Sequence, residues 1–224
     1  MHDVSIAVKA MDQVQAGDKS MEMPQLGETI RARRHAVKKT LVQVATETGL
    51  TAGFISQLER NQTSSSITSL VVIAKALGVT IGDLIKQPAQ LRPDTYRGQR
   101  QPYSVQSGRV KYERLSTVFP GSQVHSVKFT MPTGYKSEMV SHEGDEMVFV
   151  LSGKVGYTVG KDSYVLNVGD SLHFDANIPH SIESLPHENE ASEVIWVGTV
   201  ALFDGPQSAA SEDREQLLRG TEFF

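Results

Sequence analysis

Three observations on the 224-residue chain predict an α plus all-β architecture in two domains. Apolar residues recur three and four apart over 26–85, then approach every second position beyond 103, so the side-chain period falls from helical to extended. The change happens at QPAQLRPDTYRGQRQP (87–102), whose prolines, glycine and arginines read as a linker. Charge divides at the same place. Residues 23–86 hold 8 Lys/Arg against 4 Asp/Glu, whereas residues 103–203 hold 7 against 12. A basic module before an acidic one points to a polyanion partner for the first and a different task for the second.

Composition excludes several classes. With no cysteine, disulfide scaffolds, zinc ribbons, iron–sulfur clusters and thiol nucleophiles are ruled out. No apolar run approaches the roughly 18–20 residues that span a bilayer. The opening MHDVSIAVKAMDQVQ lacks the apolar core of a secretory signal, so a cytoplasmic location is expected. Residues 1–22 read as a polar, flexible arm and 204–224 as a polar tail in which Glu215–Arg219 forms a brief helix. The domains are expected at 23–86 and 103–203.

In the front domain, the run TLVQVATETGLTAGFISQLERN (40–61) contains two helices and a tight joint. Thr40 and Gln43 have the spacing of a capping box, and Gly49 suits a left-handed helix end. Thr51 caps the next helix, Ala52 to Arg60. Ala45 is small where two helices cross, and Ile55 and Leu58 bury the second helix. Thr51, Ala52, Gly53, Ser56, Gln57 and Arg60 are then left facing outward. The apolar spacing at Ile81, Leu84 and Ile85 marks a last helix before the linker.

On these residues, 26–85 resembles the phage-repressor (Cro-like, XRE) helix-turn-helix family, a five-helix bundle whose second motif helix enters the major groove. The resemblance implies base contacts by Ala52, Gly53, Ser56 and Gln57, and the Gln57 amide can bond an adenine edge twice. It implies phosphate contacts by Arg60, Asn61, Thr63, Ser64 and Ser66. Leu41 replaces a phosphate-contacting glutamine of many members. Lys39 replaces an apolar residue, which is expected to expose a helix edge. Arg31, Arg33 and Arg34 are either phosphate contacts or a solvated face.

The rear domain reads as short strands VHSVKFT, EMVFVL, KVGYTV, SYVLNV and EVIWVGTV, broken by glycine and proline. His142 and Glu146 flank the turn-like Glu143–Gly144–Asp145, a placement expected to set them side by side on antiparallel strands. GDSLHFDANIPH ends on Pro179 and His180. Two imidazoles and a carboxylate would form a facial triad that suits Fe(II) and similar divalent metals. His173 lines the cavity or lies on the outer face. His125 is read as an ordinary sheet histidine, and Phe149, Tyr157, Phe174 and Trp196 as core.

This region resembles the cupin superfamily, a double-stranded β-helix (jelly-roll) barrel. Gly134, His142, Glu146 and Gly153 match its first motif, with Val140 at the first histidine position. Gly169 and His180 match the second, where Asp175 and Asn177 replace a proline and a glycine. Three of four metal positions remain, so the barrel holds one divalent ion (Fe, Zn, Mn or Ni) or a metal-free pocket for an organic ligand. Val140, His142, Glu146, His173 and His180 are the candidate ligand contacts.

Together the halves resemble bacterial XRE–cupin regulators. The resemblance implies a homodimer that binds a double-stranded operator, responds to a small-molecule effector, and performs no catalysis. A second reading is a mononuclear iron cupin enzyme of the fosfomycin-epoxidase type, which also joins an XRE-like helical domain to a cupin. No G-x-S-x-G nucleophile turn or phosphate-cradling G-x(4)-G-K-[ST] loop occurs.

Overall fold

The structure is a computed structural model that describes residues 25–105, 109–188 and 191–203. The expected arm at 1–22, tail at 204–224 and helix at Glu215–Arg219 lie outside the described residues.

Local chemistry sets the helix limits. α1 is Leu26–Ala36, α2 Leu41–Thr48, α3 Ala52–Glu59 and α4 Ile67–Ala76. The Thr40 hydroxyl accepts from the Gln43 N–H at 3.1 Å, and Gln43 Oε1 accepts from the Thr40 N–H at 2.8 Å. That closes the capping box on α2. Gly49 then ends the helix at φ +72°. Thr51 accepts from the Phe54 N–H at 3.0 Å, starting α3 only three residues after α2 stops. α4 is apolar around most of its surface, with Ile67, Leu70, Val71, Val72, Ile73 and Ala74 buried, and forms the centre of the bundle.

The expected five helices are four among the described residues. Where the fifth was expected, Leu84 and Ile85 donate to the Ile81 carbonyl at 3.0 and 2.9 Å, making a single turn. Gly82 disfavours helix, and Pro88 pushes Gln87 out of the helical region, so the turn does not propagate. Lys39 leaves no bare helix edge. Its ammonium reaches Glu47 at 2.6 Å and the Ala76 carbonyl at 2.7 Å, closing the end of α4.

Beyond the linker, two antiparallel sheets enclose the second core. One has the order β1–β2–β8–β3–β6, from Lys111–Arg114, His125–Pro132, Ala191–Gly198, Asp145–Ser152 and Ser171–Asp175. The other is β5–β4–β7, from Asp162–Leu166, Val155–Val159 and His180–Ser184. Alternation decides what points inward: β3 buries Glu146, Val148 and Val150, and β8 buries Val194 and Trp196. Phe129 stacks on Trp196 with ring centres 6.3 Å apart. Tyr157 and Trp196 are core as expected, and Phe174 is half-buried; Phe149 is not core. Its parity places it outside with Met147 and Leu151.

The domains meet along α4. The Ser66 N–H and Ser69 hydroxyl donate to Glu138 Oε2 at 3.2 and 2.7 Å, and the Ile67 N–H donates to the Tyr112 hydroxyl at 3.3 Å. Lys75 pairs with Glu143 at 3.2 Å. Among the described residues, no helix is long and apolar enough to cross a membrane.

Candidate nucleic-acid interface and metal centre

α3 has two faces. Ile55, Leu58 and Glu59 are buried, whereas Gln57, Arg60, Gly53 and the capping Thr51 are exposed and Ala52 and Ser56 half-exposed. The Arg60 guanidinium folds back on the Ser56 hydroxyl and donates to Gln62 Oε1 at 2.9 Å, so a polar ridge runs along the open side. Thr63 and Ser64 continue it, half-exposed and exposed.

Two candidates sit elsewhere, and a third is tethered on the exposed side. Asn61 is exposed, and its Oδ1 accepts from the Gly27 N–H at 3.0 Å, while its backbone takes φ +56°. Gly27 permits this contact, because a Cβ there would meet the Leu58 carbonyl and lie 2.7 Å from Asn61 Oδ1. Ser66 is buried under the cupin. Arg34 is neither a phosphate contact nor a solvated face: its guanidinium grips Glu59 at 2.6 and 2.9 Å and the Lys39 carbonyl at 3.0 Å. The bidentate hydrogen bond to Glu59 outweighs burial and raises its proton affinity. Sequence reasoning missed this strut from α1 to α3, because nothing local links positions 25 residues apart.

In the cupin, His142, Glu146 and His180 converge, each less than a tenth exposed. His142 Nε2 lies 2.8 Å and His180 Nε2 3.6 Å from Glu146 Oε1. All three ligand atoms fall within 4.8 Å of one another. The convergence does not come from a hairpin. β3 pairs with β6 and β8, whereas the chain before it follows β7: Val140 exchanges both backbone hydrogen bonds with His180 at 3.0 and 2.8 Å. The His142 N–H donates to the Ala176 carbonyl at 2.9 Å. Gly144, at φ +107° and pressed against Thr199, turns the corner between the two sheets. Residues 136–142 are therefore an edge run on β7 that carries Glu138, Val140 and His142 at alternate positions.

Hydrogen bonding fixes the imidazole tautomers. His142 Nδ1–H donates to the Glu143 carbonyl at 3.2 Å and His180 Nδ1–H to the Ile178 carbonyl at 2.9 Å, which aims both Nε2 atoms at Glu146. His180 Nε2 is buried without a hydrogen-bond partner. Burial opposes the Glu146 carboxylate, but the two imidazoles win and hold its pKa down to about 2. Burial likewise opposes protonation of His180, and the neighbouring carboxylate raises its pKa nonetheless. An orphaned buried nitrogen beside a second imidazole and an ionised carboxylate fits a divalent cation.

The remaining candidates divide. Val140 is buried beside His180, but His173 faces outward, since the β3–β6 register pairs it with Met147 and sets Phe174 inward against His180, ring centres 5.0 Å apart. His125 is buried against Phe203 away from the triad, as expected of a sheet histidine. A cleft of about 300 Å³ between α4 and the cupin reaches His142, with Val71, Val72, Lys75, Glu143 and Val200 on its walls.

Comparison with known families decides the assignment. A helix-turn-helix family model matches residues 30–84, and a cupin domain model matches residues 117–198. The chain joins a helix-turn-helix domain to a cupin domain. This helix-turn-helix–cupin chain is 27% identical over 157 residues to the HTH-type transcriptional regulator SutR of Escherichia coli, covering 69% of this chain and 84% of SutR. It is 25% identical over 138 residues to the HTH-type transcriptional regulator PuuR of the same organism, covering 61% and 75%. A crystal structure of an HTH_3 family transcriptional regulator from Vibrio cholerae superposes with a TM-score of 0.53 at 18% identity, covering 79% and 96%. At that identity the last likeness is one of fold.

Proposed function

We propose that this protein is a sequence-specific DNA-binding transcriptional regulator whose cupin domain senses a small metabolite. The observation that carries the reading is the open face of α3: Gln57 and Arg60 are exposed while Ile55 and Leu58 hold the helix to the bundle. Gln57 reads a base edge, and Ala52, Gly53 and Ser56 shape the approach; Thr51, Arg60, Thr63 and Ser64 position the phosphates. A homodimer sets two such helices about 34 Å apart, one turn of DNA. Relatives named as HTH-type transcriptional regulators support the same class.

The cupin supplies the sensor. His142 and His180 through Nε2 and Glu146 through a carboxylate oxygen would hold one divalent ion, Fe, Zn, Mn or Ni. Such an ion would supply a Lewis-acid contact for an oxygen or nitrogen atom of the effector. A cleft between α4 and the cupin borders His142 on its other side.

The test is selection of genomic fragments by the purified protein, followed by sequencing. Enrichment of a two-fold-symmetric site by the native chain, lost in Gln57→Ala, is the expected result. Fragments recovered without sequence bias refute sequence-specific reading. Oxygen- or peroxide-dependent substrate turnover by the metal-loaded protein would instead favour the iron-enzyme reading.

A further inference from the structure

α4 begins with three donors, two of which meet on a single anion. The N–H of Ser66, the hydroxyl of Ser69 and the N–H of Ile67 all point out of its first turn, the place where a helix favours negative charge. An anion is already seated there. It is the carboxylate of Glu138, from the cupin domain, which takes the first two donors on one oxygen while the Tyr112 hydroxyl takes the third. Ser65, Ser66 and Ser69 are buried at this junction.

The surroundings set helical-domain donors and a cation against cupin carboxylates. The exposed ridge of Arg60 and Ser64 runs straight into Ser65 and Ser66, so a phosphate track laid along it meets the cupin at the start of α4. At the other end of the same helix Lys75 is matched to Glu143, again a helical-domain cation against a cupin carboxylate. The charge division of the chain, basic before the linker and acidic after it, is complementary across this junction.

We propose that Glu138 is an intramolecular stand-in for a DNA phosphate. With the domains docked as here, it occupies the donors of α4, and docking and duplex binding exclude one another. The protein binds DNA in a second arrangement, in which the cupin has withdrawn from α4. The inference rests on the DNA-binding reading above, but adds to it a self-restraint that neither the fold nor the open face of α3 requires.

A phosphate contact is independent of sequence, so a short fluorescein-labelled duplex of random sequence is a sufficient probe. Fluorescence anisotropy is followed from about 50 to 200 mM salt for the native chain, Glu138→Ala and Glu138→Gln. Both variants are expected to bind at least about fivefold more tightly, with a log K against log[salt] slope steeper by about 0.9, one phosphate. A second arm does not depend on those variants folding. The chain has no cysteine, so Lys75→Cys/Glu143→Cys, two exposed positions, can be bridged uniquely by a short bismaleimide. The bridged protein is expected to bind at least about tenfold more weakly than the same protein capped with a monofunctional maleimide. Unchanged affinity in folded Glu138→Ala, or undiminished binding by the bridged protein, overturns the proposal. If no form binds duplex even at the lowest salt, the DNA-binding reading itself fails and takes this one with it.

Discussion

Arg34→Met tests whether α3 is held in its reading position by a buried charge pair. The Arg34 and Glu59 side chains are 10% and 5% exposed, and their two hydrogen bonds span 2.6 and 2.9 Å. Removing the guanidinium strands the Glu59 carboxylate and frees the Lys39 carbonyl. Breaking a buried pair from one side costs about 3–5 kcal/mol. The Arg34 side chain keeps a little exposure, so the lower end, about 3 kcal/mol, is expected. For a domain of under about 100 residues that lowers the midpoint of its thermal transition by about 12–24 °C. Glu59→Leu in the same chain removes the stranded charge and is expected to restore most of the loss, because an apolar replacement of a buried pair is often neutral. Thermal and urea unfolding of the native, single and double variants supply the measurement. A single variant within about 0.5 kcal/mol of native, or a double variant no better than the single, refutes the strut. If Arg34 instead touched phosphate, its loss would flatten the salt dependence of DNA binding and leave the midpoint alone.

Further outcomes follow from the other contacts. Gln57→Ala is expected to weaken binding to a selected operator by about 1–3 kcal/mol, a factor of about 5–150, while binding to random duplex stays the same; equal losses on both would show that Gln57 does not read bases. Gly27→Ala drives a methyl group into the Leu58 carbonyl and Asn61, and is expected to cost about 1–3 kcal/mol by thermal unfolding; a neutral result would mean α1 and α3 slide apart freely. Metal ligation needs both Nε2 atoms unprotonated, and His180 binds its proton more tightly than an ordinary imidazole. Zinc affinity by calorimetry should therefore begin to fall while pH is still above 6.5, and a flat profile from pH 8 to about 5.5 counts against these ligands. Without metal the sign differs for each group. The depressed Glu146 adds stability above its unfolded pKa of about 4.5, lost as pH falls toward 2; the raised His180 adds stability below 6.5, lost as pH climbs through its folded value. The metal-free cupin should melt highest between those limits, and a melting point that rises steadily to pH 8 contradicts the pairing.

What could be read in the sequence was whatever a few neighbouring residues decide. Thr40 with Gln43, Gly49 and Thr51 fix the ends of α2 and α3 by contacts within four positions, and they stand as expected. His142, Glu146 and His180 were recognisable by type and spacing, but the reason they meet was not: a corner at Gly144 joins two sheets, where the spacing suggested a hairpin. Register was hidden as well. The side taken by His173 depends on its pairing with Met147, and strand alternation alone leaves both faces available to it and to Phe149. The fifth helix failed because its apolar spacing spans too few residues before Pro88. Ser66 and Arg34 were read as surface residues because the groups that bury them, Glu138 and Glu59, lie 72 and 25 positions away.

The run 136–142 has one more bearing on how the molecule works. It is stitched to β7 at Val140 and Ser137 and carries both His142 and Glu138, four positions apart. The imidazole of the triad and the carboxylate at the mouth of α4 are therefore set by the same few backbone hydrogen bonds.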